Sequence, residues 1–101
     1  MWRNWLKTIS EIEGPVWLTL DIDGLDPAFL PGTGVPEIGG ITPRDAQVII
    51  RSLQGREIVG ADISVVSALH DPTGITCITV AYLLFEILFI IAEVNHAFTF
   101  L

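Results

Sequence analysis

A chain of 101 residues is one domain at most, and a small one. Half of it is hydrophobic and only 17% is charged, which excludes a disordered, solvated polymer. Five Lys plus Arg against twelve Asp plus Glu give a net charge of −7, so phosphate backbones and anionic membrane surfaces would repel it; nucleic acid is not expected as a partner.

The chain begins with Trp2, Trp5, Leu6, Ile9 and Ile12 at three- and four-residue steps, separated by Arg3, Lys7 and Glu11. That spacing predicts a short amphipathic helix, ended by Gly14-Pro15. No uninterrupted apolar stretch long enough for a signal peptide occurs here, so a cytoplasmic setting is expected. Val16 to Leu20 is rich in strand formers and almost wholly apolar, as a strand covered on both faces would be.

Gly24 to Gly40 is dense in proline and glycine and reads as a loop with defined turns, long enough to suggest a function. It carries no phosphate-binding fingerprint. Thr42 then offers an N-cap, with Pro43 at the first helical position and Asp45 at the third. The helix that follows should bury Ala46, Ile49, Ile50 and Leu53 and stop near Gly55. Glu57 to Ile63 reads as a second strand and Ser64 to Gly74 as a loop, in which Asp71-Pro72 can cap the next helix. Strand, helix and strand in this order make a βαβ crossover, hence an α/β fold with parallel strands.

Ile75 to Ala92 is eighteen residues with a single charge, Glu86, at the threshold length of a membrane span. The carboxylate inside the run and the absence of Lys or Arg at either end favour a helix buried against a sheet instead. Glu86 should then meet solvent or a partner on one side. Cys77, the sole cysteine, reads as a small buried hydrophobe in a reducing compartment. Two strands make a poor sheet, and long apolar elements with so few partners suggest part of something larger.

The sharpest chemical feature is Asp21-Ile22-Asp23-Gly24-Leu25-Asp26-Pro27, directly after the first strand. In extended chain Asp21 and Asp23 would project to one side at the strand's C-terminal end, where open α/β sheets place their ligand sites. Two carboxylates so close repel unless a cation lies between them, and Mn²⁺ or Mg²⁺ suits oxygen donors. Plain turn chemistry is the alternative reading of the same residues. Pro27-Ala28-Phe29-Leu30 breaks any EF-hand pattern. His70 reads as an ordinary loop histidine, His96 as incidental, and Asp62 as a structural strand-end carboxylate. Trp2, Trp5 and Trp17 read as core or interface filling.

The run Leu20 to Phe29, with Pro31-Gly32-Thr33-Gly34 and Pro36-Glu37-Ile38-Gly39-Gly40-Ile41-Thr42 behind it, resembles the ureohydrolase (arginase/agmatinase) family, and agmatinases and related guanidino-acid hydrolases most of all. The resemblance continues through Ile58-Val59-Gly60-Ala61-Asp62 and Asp71-Pro72-Thr73-Gly74-Ile75-Thr76 to the final helix. It implies a partial three-layer α/β/α arginase-like fold, with residues 1–101 a single partial domain from the C-terminal portion of the catalytic domain and 95–101 an atypical tail. It also implies a hydrolase of polyamine metabolism with a binuclear manganese centre, whose bridging hydroxide attacks a guanidinium carbon and releases urea and an amine. Two cations lower the pKa of water and stabilise the tetrahedral intermediate. By matching position Asp21 would bridge the metals, Asp23 would ligate one of them, and Asp26 would organise the turn.

Two departures stand beside the resemblance. The family's other ligands, a His and an Asp-x-His-x-Asp cluster, lie upstream of the region matched, and neither His70 nor His96 replaces them. Only a half-site is expected, so the isolated chain should not turn over. Val65 stands where the family places a Glu that receives the guanidinium, and valine offers no acceptor. Catalytic and substrate-binding residues are therefore unassigned. The expected partner is a small guanidino substrate such as agmatine, with homo-oligomers or association with a fuller homologue as the assembly. A degenerate, non-catalytic family member acting as an interaction module is the alternative, and a small membrane protein built on residues 75–92 a third reading.

Overall fold

In the computed structural model, which describes residues 2–95, the elements run α1 (Trp2–Ser10), β1 (Val16–Asp21), α2 (Pro43–Arg51), β2 (Ile58–Ser64) and α3 (Ile75–Asn95). Single 3₁₀ turns lie at Ile22–Gly24 and Ala68–His70. The tail from residue 96 onward, His96 included, lies outside the described residues.

The local signals form what their chemistry predicts. The Thr42 hydroxyl accepts from the Asp45 amide at 3.1 Å, and the Asp45 carboxylate accepts from the Thr42 amide at 3.1 Å. This reciprocal capping box, with Pro43 behind it, starts α2 where the sequence places it. At the other end of the crossover, the Arg56 guanidinium donates to the Ser10 carbonyl at 2.5 Å and to the Ile12 carbonyl. It ties the end of α1 to the start of β2.

β1 and β2 pair in parallel, Leu18 beside Ala61, Thr19 beside Asp62 and Asp21 beside Ser64, with one irregularity between Val16 and Trp17. Ile50 and Leu53 of the α2 region, Ile58, and Val80, Leu83, Ile87 and Ile90 of α3 pack on the inner side of the sheet. Ile22, Leu25 and Leu30 extend that core under the long loop. At about 25 cal/mol per Å² of apolar surface, a fully buried side chain of this kind contributes about 1.5–3 kcal/mol. The molecule measures 38 × 34 × 18 Å, a slab of one sheet and one layer of helices.

The outer surfaces of the slab correct four expectations. β1 is not covered on both faces: its burial alternates, and Trp17, Thr19 and Asp21 stay exposed because no described element lies over them. Trp17 is 62% exposed and Trp5 is exposed as well, so neither fills a core here; the side chain of Trp2 lies outside the description. α3 is buried along a stripe only, with one third of its most apolar window covered. A two-stranded sheet and one short helix are too narrow to enclose a helix of 21 residues. Cys77 falls off that stripe and is exposed rather than buried.

α3 is long and apolar enough to cross a membrane by length and composition. Its one central charge is nevertheless met by a cation inside the fold. Arg51 Nε donates to Glu86 Oε2 at 2.9 Å and Nη2 pairs with Oε1.

Candidate functional site

Asp21 closes β1, and its Oδ1 accepts from the Asp23 backbone amide at 2.9 Å. That bond turns the chain into the 3₁₀ turn Ile22–Gly24, so Asp21 is extended but Ile22 and Asp23 are not, and the two carboxylates do not share the face of a continuous strand. Ile22 is wholly buried and anchors the turn, while Asp21 is exposed and Asp23 half-buried. Asp23 Oδ1 accepts the hydroxyl proton of Thr33, a buried residue of the Pro-Gly-Thr-Gly loop. Among the described residues, each aspartate thus spends one oxygen on a protein donor and keeps the other available.

Asp26 spends both. Its Oδ1 takes the Ala28 amide at 2.9 Å and its Oδ2 the Gly39 amide at 3.0 Å, so it organises the turn, as the resemblance implies. Asp62 Oδ2 accepts from Trp17 Nε1 at 2.9 Å and from the Thr19 hydroxyl at 3.2 Å, which gives it the structural role expected. His70 lies 2.6 Å from the Ser67 hydroxyl through Nδ1 and stays an exposed turn histidine.

Val65 follows β2 directly, one residue beyond Asp21's neighbour Ser64, and has φ = +68°. A β-branched residue in the left-handed region is a sterically costly conformation, and such positions gather where a loop is held for a purpose. Sequence reasoning singled out Val65 for its missing carboxylate and had no signal for its backbone.

Asp71 is 4% exposed, and all of its acceptor capacity is directed inward. Oδ1 takes the Thr73 amide and hydroxyl at 3.1 and 2.5 Å; Oδ2 takes the Thr76 amide and hydroxyl at 2.7 and 2.5 Å. Hydrogen bonds from Thr73 and Thr76 hold its carboxyl at about 2, below the ordinary 3.8. The role of Asp71 as the acceptor at the head of α3 is as predicted. The part played by Thr33 and Thr76 was not, although Thr residues beside Pro-Gly and Asp-Pro turns were a visible signal.

The donors at Asp21 and Asp23 suit a hard divalent cation in kind. They do not suffice in number for two ions, since no group of three His, Cys, Asp or Glu that could hold a metal occurs among the described residues. No buried side-chain nitrogen or oxygen among them lacks a hydrogen-bond partner.

A sequence model of the arginase family matches residues 1–90. The chain belongs to the arginase family. It is 50% identical over 100 residues to the mitochondrial agmatinase of Gallus gallus, covering 90% of this chain and 29% of that one. It is 49% identical over 80 residues to the guanidinopropionase of Pseudomonas aeruginosa, covering 79% of this chain and 25% of that one. The crystal structure of a hypothetical agmatinase from Burkholderia thailandensis superposes with a TM-score of 0.85 at 39% identity, over 94% of this chain and 31% of that one. The parallel α/β arrangement is therefore that of the arginase family, and the chain spans less than a third of the length of these relatives.

Proposed function

We propose that this chain supplies the Asp21/Asp23 part of a manganese-dependent guanidino hydrolase of agmatinase type, and that it is inactive until upstream residues complete the centre. The observation that carries this reading is the pair of aspartates after β1, each fixed through one oxygen and leaving the other available. When bound, manganese would supply an activated water and charge stabilisation for attack on the guanidinium carbon. This chain's own contribution is to hold two carboxylates in place at the C-terminal end of a parallel strand. The proposed substrate class is a small guanidino compound, since relatives named agmatinase and guanidinopropionase match at 50% and 49% identity. An exposed, unpaired Cys77 is compatible with the reducing cytoplasmic setting proposed for the chain.

A calorimetric manganese titration of the full chain, with Asp21→Ala as control, tests the reading. Weak binding that Asp21→Ala abolishes is expected. Joining the chain to the upstream region of an agmatinase should then give manganese-dependent urea release from agmatine. A joined protein that takes up no manganese overturns the proposal.

Val65 favours a second reading, a non-catalytic member that docks on a fuller homologue. Its support is the apolar side chain at the position where the resemblance expects a guanidinium acceptor. Co-purification with a full-length homologue, without any gain in urea release after joining, would select it.

A further inference from the structure

We propose that Asp71 and Thr76, at the head of α3, are positioning residues for the Asp23 carboxylate, acting through the Pro31–Gly34 loop. The inference rests on the reading of Asp23 as a manganese ligand.

The hydrogen bonds between them run in one direction. Gly32 N–H can only donate, and it donates to the Thr76 hydroxyl oxygen at 2.9 Å. The single hydroxyl proton of Thr76 is then committed to Asp71 Oδ2, at 2.5 Å. Asp71 must be an ionised acceptor for this order to hold, and its four incoming bonds keep it so. The Gly32 carbonyl is held too, accepting from the Ser67 amide at 2.6 Å. Residue 32 is thereby pinned at its N–H to the first turn of α3 and at its carbonyl to the segment that joins β2 to α3.

The next residue, Thr33, gives its proton to Asp23 Oδ1 and accepts from the Val35 amide at 3.3 Å. An aspartate rotates freely about its side-chain bonds unless one oxygen is tethered. Here the tether comes from a loop whose own place is set from α3. Residue 32 leaves no slack, because a Cβ there would lie 2.7–2.9 Å from three side-chain atoms of Thr76, which is wholly buried. Groups that fix a metal ligand from behind commonly change metal affinity by about 10–100-fold when removed.

The test uses the full 101-residue chain and two readouts. One is Mn²⁺ affinity by electron paramagnetic resonance of the free ion. The other, without metal, is the Asp23 side-chain rotamer from Hα–Hβ couplings and Thr33-methyl to Asp23-Hβ contacts by NMR. Thr76→Val keeps the shape and removes the hydroxyl; Thr76→Ser restores it; Thr73→Val removes a different Asp71 partner and leaves Gly32 alone. Thr76→Val is expected to average the Asp23 rotamers and weaken Mn²⁺ binding about tenfold. Thr76→Ser and Thr73→Val should hold both readouts at the parent values, the latter with a lower Tm.

Parent-like readouts in Thr76→Val, or equal losses in Thr73→Val, overturn the proposal and leave Asp71 as a helix cap. If the parent chain takes up no Mn²⁺ through Asp21 and Asp23, the manganese reading falls, and the rotamer contrast still decides the positioning role. Should Thr76→Val not fold, Asp71→Asn reads the same relay one step back, with a smaller change in the same direction expected in both readouts.

Discussion

Arg51 on α2 grips both carboxylate oxygens of Glu86 on α3, Nε to Oε2 at 2.9 Å and Nη2 to Oε1, with Gln47 Nε2 adding a contact to Oε1 at 3.4 Å. This bidentate pair joins the two helices of the inner layer at the one charge in the central run of α3. The hydrogen bond from Arg51 holds the Glu86 carboxyl below its ordinary range, and burial opposes that effect without cancelling it. Arg51→Met should lower Tm because it strands a half-buried carboxylate; a second change, Glu86→Met, should recover part of the loss. A double-mutant thermal cycle at neutral pH measures this, and additive losses would show that the pair does not couple.

Asp71 makes stability depend on pH in a defined window. Its folded value of about 2 lies below the ordinary 3.8, so its contribution is present above about 4 and is lost as pH falls through 2. Asp71→Asn is expected to unfold at lower temperature than the parent at pH 7, with the two curves converging as the pH approaches 2. Calorimetry across that range checks it; a gap that persists at pH 2 would assign the loss to shape instead of charge.

Val65 offers a stabilising substitution. Left-handed backbone costs an L-residue roughly 1–2 kcal/mol, and the extra chain entropy of glycine returns about 0.5–1 of that. Val65→Gly should therefore gain about 0–1.5 kcal/mol, each 1 kcal/mol being a rise in Tm of about 4–8 °C. Val65→Glu would keep the strain and add an acceptor; in a joined, metal-loaded enzyme it is expected to lower the KM for agmatine. Urea-release kinetics on the two joined variants separate the backbone effect from the acceptor effect.

Gly60 and Trp17 should couple. The Trp17 ring lies over Gly60 so closely that a Cβ there would fall 2.2 Å from Cζ3. Gly60→Ala is expected to push the exposed ring outward and break its bond to Asp62, seen as a shift of the Trp17 indole N–H resonance. In a Trp17→Ala background the same change should be close to neutral. A loss that survives in that background would place the cause in the strand backbone.

What the sequence made legible was local. Thr42, Pro43 and Asp45 state a helix start within four residues, and Asp26 states a turn, because each bond closes over a short stretch of chain. Burial was less readable, since it depends on which elements lie opposite. The mostly apolar α3 gives little periodicity from which to choose a face, and the apolar run of β1 does not say that one of its faces is open, so neither the exposure of Cys77 nor that of Trp17 is legible in sequence. At the candidate site, Asp21 and Asp23 stand out by spacing, whereas the tether from Thr33 and the hold of Thr76 on Gly32 join residues far apart in the chain. No local pattern announces contacts of that kind.

The parallel pairing of β1 with β2 also sets an order of events. Parallel neighbours cannot close through a tight turn, so the pair forms only after α2 and its flanking loops have been made. On the ribosome, Asp21 emerges long before Ser64, its partner across the sheet, and longer still before Thr76. The aspartate turn is thus the first part of the candidate site to be synthesised and among the last to acquire its surroundings. Nascent chains stalled short of α3 would carry both carboxylates and Thr33 but not the Thr76 hydroxyl that holds the loop behind them.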